Sequence, residues 1–132
     1  AEFDRQYSPD KAIWWYTRPC FIYEILNKSL RLLECGIIIK MAFFIYDLHH
    51  QIAKLHQAQN RGGQTASFTT YRGQGLSNED FEKLQKSRGG LLSFNSFLST
   101  SDDRHVSLFF AESCAGRIDT TAVLFVLTVD PQ

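Results

Sequence analysis

Two short stretches carry the residue types that could do chemistry. The first is Tyr71-Arg72-Gly73-Gln74-Gly75. A guanidinium is a planar, permanently charged fork that matches the geometry of a phosphate or carboxylate, and adjacent glycines let a ligand approach the backbone. At the end of a β-strand such an arginine suits either anion binding or a surface salt bridge in a hairpin. The second stretch runs from Ser93 to Ser101, Ser-Phe-Asn-Ser-Phe-Leu-Ser-Thr-Ser, and Asp102 and Asp103 follow it. It begins apolar and ends in three consecutive hydroxyls, which can line a cleft. In the plainer reading Thr100, Ser101 or Asp102 caps the next helix.

The elements that must position these residues are legible from pattern. Ser67-Phe68-Thr69-Thr70-Tyr71 alternates with high β-propensity, predicting a strand with Phe68, Thr70 and Arg72 on one face. Ser77 and Asp80 make a capping signal for a short helix through Phe81 and Leu84, stopped at Gly89-Gly90. Leu91, Leu92, Phe94, Phe97 and Leu98 predict a central strand that ends in the hydroxyl cluster. A helix from about Asp103 to Glu112 is expected to bury Val106, Phe109 and Phe110, and Ala122 to Leu127 reads as a fully buried strand.

The first half is helical by the same reasoning. Residues 1–7 carry no pattern and read as an arm. Ser8-Pro9-Asp10 supplies a cap, a proline suited to the first helical position and an early acid, so a short helix should run through Ala12, Ile13, Trp14, Trp15 and Tyr16, with the tryptophans in the core. Pro19 restarts the chain. A second helix reaches about Glu34, with Ile22, Ile25, Leu26, Leu30 and Leu33 on one face and Gly36 as its stop. A third, from Ile37 to about Gln59, repeats Met41, Ile45, Leu48, Ile52 and Leu55 at helical spacing. Asn60-Arg61-Gly62-Gly63-Gln64 is a flexible connector. His49, His50 and His56 lack the spacing of a helical metal site and belong on solvated faces.

Totals narrow the function classes. The 132 residues suit one domain, and 44% apolar residues with 11 phenylalanines argue for a packed core. Fourteen basic and fourteen acidic side chains balance to zero, so the basic footprint of nucleic-acid binding is absent. Cys20, Cys35 and Cys114 have neither zinc-knuckle spacing nor the makings of a disulfide framework. The longest apolar run, Ile37 to Tyr46, is interrupted by Lys40 and too short to span a bilayer. A soluble, cytoplasmic chain with no membrane or nucleic-acid partner is the expectation.

The order of elements, with Tyr71-Arg72-Gly73, then Ser-Phe-x-x-Phe-Leu-Ser-Thr-Ser over residues 93–101, then a helix bearing Phe109-Phe110-Ala111, resembles the arginine-type mono-ADP-ribosyltransferases. The resemblance covers residues 68–129 well and the helical half loosely. It implies an α+β fold: a helical N-terminal half of three helices (residues 1–60), then a small split β-sheet core (residues 65–132) that is incomplete at its C-terminus. All 132 residues would form a single domain of that type. It implies further that NAD, as the substrate, lies in a cleft between two small sheets. By this analogy Arg72 holds the NAD phosphates and orients the nicotinamide ribose, the backbone of Gly73 bonds the carboxamide, and Ser99 steadies the ribose side and the catalytic glutamate. Thr100 and Ser101 support the strand end, and Tyr71 and Phe97 complete the cofactor-binding set. The activity implied is transfer of ADP-ribose from NAD to a side chain of an acceptor protein, with arginine as a candidate acceptor, a glycosyltransferase reaction that releases nicotinamide.

The sequence departs from that pattern at the carboxylate. A Glu-x-Glu or Gln-x-Glu should follow on a later strand, whereas the glutamates after Arg72 are Glu79, Glu82 and Glu112, all on expected helices. Two readings follow: a fragment of a longer enzyme, or a relic that binds NAD without reacting. A reading from a different class is a non-catalytic module that holds a partner protein with the amphipathic face of residues 37–59 or with a bare sheet edge. An apolar edge of that kind also favours self-association.

Overall fold

Ile22 and Leu26 stand one helical turn apart, as do Ala12 and Tyr16, and Phe44 and Leu48; with Trp15 these residues form the main buried apolar cluster. In the computed structural model, which describes residues 2–18, 20–60, 63 and 66–130, they come from three helices of an α+β protein. The chain divides into two compact units, Ala1–Gln64 with Phe94–Phe97, and Thr65–Ser93 with Leu98–Gln132. Pro19, Arg61, Gly62 and Gln64, where a restart and part of a connector were expected, lie outside the described residues, as do Pro131 and Gln132.

The first unit contains α1 (Glu2–Gln6), a 3-10 turn (Pro9–Lys11), α2 (Ala12–Thr17), α3 (Phe21–Leu32), α4 (Cys35–Lys40) and α5 (Ala42–Asn60). Within the expected arm Glu2–Gln6 form a helix instead, whose Phe3, with Tyr7 just beyond it, packs on the core. The Phe3 ring meets the edge of Trp15 at 5.0 Å, and the Tyr7 hydroxyl donates to Asp47 Oδ2 at 2.6 Å. Aromatic spacing of one turn fastens a segment too short to show periodicity. Gln51 of α5 accepts from the Ile13 N–H at 2.8 Å and donates to the Asp10 carbonyl, which satisfies polar groups at the start of α2. Trp15 is buried, but Trp14 is half exposed and lies under the Arg18 guanidinium, so the expected core pair is split.

Two helix boundaries differ from expectation. The second helix ends at Leu32 because Leu33 takes the left-handed conformation (φ 53°), and the Glu34 N–H returns to the Ser29 carbonyl at 2.9 Å. Gly36, the expected stop, sits inside α4, and Leu33 is exposed. The expected third helix is broken at Met41 (φ −96°, ψ 7°), and its buried residues are Phe44 and Leu48; Ile52 and Leu55 are exposed. His49, His50 and His56 are exposed, as expected, and His50 stacks on Tyr46.

The second unit contains β1 (Phe68–Ser77), α6 (Asn78–Lys86), α7 (Arg104–Glu112) and β2 (Thr120–Val129). β1 and β2 pair antiparallel in an unbroken register from Phe68↔Val129 to Ser77↔Thr120, the one sheet among the described residues. Ser77 caps α6 as its spacing predicts, its Oγ accepting from the Asp80 N–H at 3.1 Å. Asp103 caps α7, its Oδ1 accepting from the His105 N–H at 2.8 Å. The expected apolar face of α7 is not the one that packs: Ser107 and Ala111 are buried, while Val106, Phe109 and Phe110 are exposed. The reason lies across the interface in Gly73. A Cβ built there would fall 1.7 Å from the Ser107 carbonyl oxygen and 2.6 Å from the Ala111 nitrogen, so helix and strand meet backbone to backbone and only small residues fit between them. The expected fully buried β2 is half-buried, with Ala122 and Val126 exposed. The expected central strand over residues 91–101 is irregular. Leu91 and Leu92 are exposed, Phe97 packs with the first unit, and Ser101 alone bridges to β1.

Candidate anion site at Arg72 and Ser99

Arg72 lies in the middle of β1, opposite Phe125, and not at a strand's end as its glycine neighbours suggest. Strand alternation puts Thr70, Arg72, Gln74 and Leu76 on one face and Tyr71, Gly73 and Gly75 on the other, the face that α7 covers. Gly73 and Gly75 are therefore explained by close packing. The Cβ that Gly75 lacks would lie 2.9 Å from the Cys114 Cβ.

On the other face the Arg72 guanidinium is held by named partners. Nη1 donates to the Ser99 carbonyl oxygen at 2.8 Å and to Ser99 Oγ at 2.9 Å, and Nε donates to Gln74 Oε1 at 2.9 Å. All of these groups are half-buried. A hydrogen bond to a charged group contributes about 1.5–3 kcal/mol net in such a setting, enough to choose one side-chain rotamer over its alternatives. Ser99 reaches Arg72 because Ser101, two residues on, exchanges two backbone bonds with Tyr71, at 2.7 and 2.8 Å. Ser101 Oγ also accepts from the Asp103 N–H at 3.0 Å, so this hydroxyl shapes the turn into α7. Thr70 Oγ1, on the same strand face as Arg72, is buried without a hydrogen-bond partner.

Of the residues singled out by sequence, Tyr71, Arg72, Ser99 and Ser101 are brought together through these bonds. Gly73 adjoins them but faces α7. Thr100 is exposed between Ser99 and Ser101. Phe97 belongs to the first unit, where its carbonyl accepts from the Tyr16 hydroxyl at 2.9 Å and its ring meets the Tyr16 ring at 5.9 Å. Gln74 was missed because the predicted strand ended at Arg72, whereas β1 continues to Ser77 and puts Gln74 two residues along the same face.

The arrangement is a guanidinium held at Nε and Nη1 with a serine hydroxyl on it, residue types that suit an anion. The glutamates that follow Arg72 are on helices, as expected. Glu79 pairs with Lys83 at 2.7 Å and Glu82 with Lys86 at 3.9 Å on α6, and Glu112 ends α7. No group of three or more His, Cys, Asp or Glu among the described residues is placed to hold a metal ion, and no described helix is long and apolar enough to cross a membrane. No family model, curated protein or solved structure matches the chain.

Proposed function

We propose that the Arg72–Ser99 pair is the NAD grip of a protein mono-ADP-ribosyltransferase. One observation carries the reading: a guanidinium on β1 held by both the carbonyl and the hydroxyl of Ser99, where the resemblance gives Arg72 the NAD phosphates and Ser99 the ribose side. In this reading Arg72 supplies the positive charge that attracts the diphosphate and Ser99 orients both the arginine and the ribose.

The reaction breaks the bond between ribose C1′ and the nicotinamide nitrogen. The bonding pair goes to the pyridinium ring, which becomes neutral nicotinamide, and positive charge builds on the sugar as in glycoside cleavage. A nitrogen of the acceptor side chain then bonds C1′ and loses a proton. A carboxylate near the ribose stabilises that transition state. Glu79, Glu82 and Glu112 lie on helices, not on a strand beside β1, so none of them stands where the resemblance puts the catalytic glutamate.

Titrating NAD into isotope-labelled protein tests this reading. Amide shifts concentrated at Thr70, Arg72, Ser99 and Ser101 are expected; shifts confined to the groove at Gln6, Asp10, Lys11 and Trp14, or none, would overturn it. A second reading, a non-catalytic protein-interaction module, is favoured by the outward Val106, Phe109 and Phe110 of α7, which are 44%, 69% and 57% exposed. A folded chain that ignores NAD would fit this second reading.

A further inference from the structure

We infer that Gln74 is a positioning residue, which sets the plane of the Arg72 guanidinium before any ligand arrives. This inference rests on the reading of Arg72 as an anion grip but concerns a residue that neither the motif nor its resemblance singles out. Arg72 and Gln74 are neighbours on one face of β1, opposite Phe125 and Val123 of β2. The Nε–H of Arg72 meets Gln74 Oε1 at 2.9 Å, while Nη1 meets both acceptors of Ser99. The bonds at Nη1 pin one corner of the planar group, and the bond at Nε, on a different corner, narrows further the orientations that the plane can take.

The type of residue matters as much as its place. Only the amide oxygen of a glutamine can accept from Nε–H, so the contact also fixes which way the Gln74 amide is turned. A neutral acceptor holds the arginine without cancelling its charge, as a glutamate in the same position would. A guanidinium oriented in advance loses less freedom when it meets a phosphate, and pre-ordering of this kind raises affinity without any new contact to the ligand. Gln74 therefore acts on NAD through Arg72.

The test compares the parent with Gln74→Met, which keeps the side-chain length and removes the acceptor, and Gln74→Glu, which restores it. The first readout needs no ligand: the exchange rate of the Arg72 Nε–H with water, followed by NMR in the same samples whose β1 and β2 amide signals report that the sheet is intact. The inference expects slow exchange in the parent, at least tenfold faster exchange in Gln74→Met, and slow exchange again in Gln74→Glu. The second readout is NAD affinity, expected to fall about tenfold in Gln74→Met. An Arg72 Nε–H whose exchange is unchanged in Gln74→Met with the sheet intact would overturn the positioning role. So would an altered exchange rate with NAD affinity unchanged. A parent that shows the expected exchange pattern yet does not bind NAD supports the positioning role and refutes the NAD reading, so the two failures are told apart.

Discussion

Replacing Gly73 with alanine is expected to lift α7 from the sheet. The added Cβ would lie 1.7 Å from the Ser107 carbonyl oxygen and 2.6 Å from the Ala111 nitrogen. An ordinary carbon–oxygen approach is about 3.3 Å, so the helix must move by roughly 1.6 Å. Both obstructing atoms are backbone, and no rotamer change can clear them. Overpacking of a fitted interface costs about 1–3 kcal/mol, and the rigidity of both surfaces puts Gly73 at the top of that range. Against this, alanine restricts the unfolded chain and returns about 0.5–1 kcal/mol. The net loss is about 2 kcal/mol from the second unit. Urea unfolding followed by far-UV circular dichroism reads it; both tryptophans are in the first unit, so their fluorescence would report the other half of the chain. Gly36→Ala is the control, since nothing lies within 4 Å of the Cβ it would gain and it sits inside α4. That change should be neutral or stabilising by up to about 1 kcal/mol. If Gly73→Ala were as harmless as Gly36→Ala, the close contact of α7 with β1 would be refuted, and with it the packing account of the glycine.

Further expectations concern the first unit. The Tyr16 hydroxyl accepts from Asn27 Nδ2 at 2.9 Å and donates to the Phe97 carbonyl at 2.9 Å, so Tyr16→Phe leaves a buried amide short of a partner. It should cost about 2 kcal/mol in urea unfolding monitored by tryptophan fluorescence; a loss under about 0.5 kcal/mol would contradict that network. Burial, the hydrogen bond to Asp47 and the Asp47 charge all push the Tyr7 phenol well above the ordinary tyrosine range. The raised value means the folded chain holds its proton more tightly than the unfolded chain. The contribution is therefore complete below about pH 10, where an unfolded tyrosine begins to ionise, and is lost as pH rises from there. The urea midpoint should fall between pH 9 and pH 11, and fall less in Tyr7→Phe; parallel pH profiles would refute the assignment.

What the sequence disclosed follows from which physical signals it carries. Helical spacing exposed Ile22, Leu26 and Leu48, because large apolar residues at that period have few other uses, and the Ser77 cap was legible from Asp80. Strand alternation put Thr70 and Arg72 on one face, where the structure has them. The face of α7 was misjudged for a reason that hydrophobicity cannot reveal: a glycine on the facing strand admits the helix so closely that Ser107 and Ala111 fit and phenylalanines do not. The central strand failed because residues 94–97 pack with the helical unit, which leaves Ser101 as the single bridge to β1. Leu33 stopped a helix in place of Gly36 by adopting a backbone conformation that glycine ordinarily supplies, and nothing in its type announces that. At the site, Arg72 and Ser99 were each singled out through the motif, but their contact emerges only in the structure, and Gln74 required knowing that β1 continues past Arg72 to Ser77.

The most direct test of the NAD grip is calorimetric titration of NAD into the chain and into Arg72→Ala at one moderate salt concentration. The account predicts saturable one-to-one binding by the parent, weakened at least tenfold in the variant, which corresponds to about 1.4 kcal/mol and falls just under the lower end for a charged hydrogen-bonded contact. Equal affinity in the two proteins, or no heat of binding from a parent shown by circular dichroism to be folded, would contradict it.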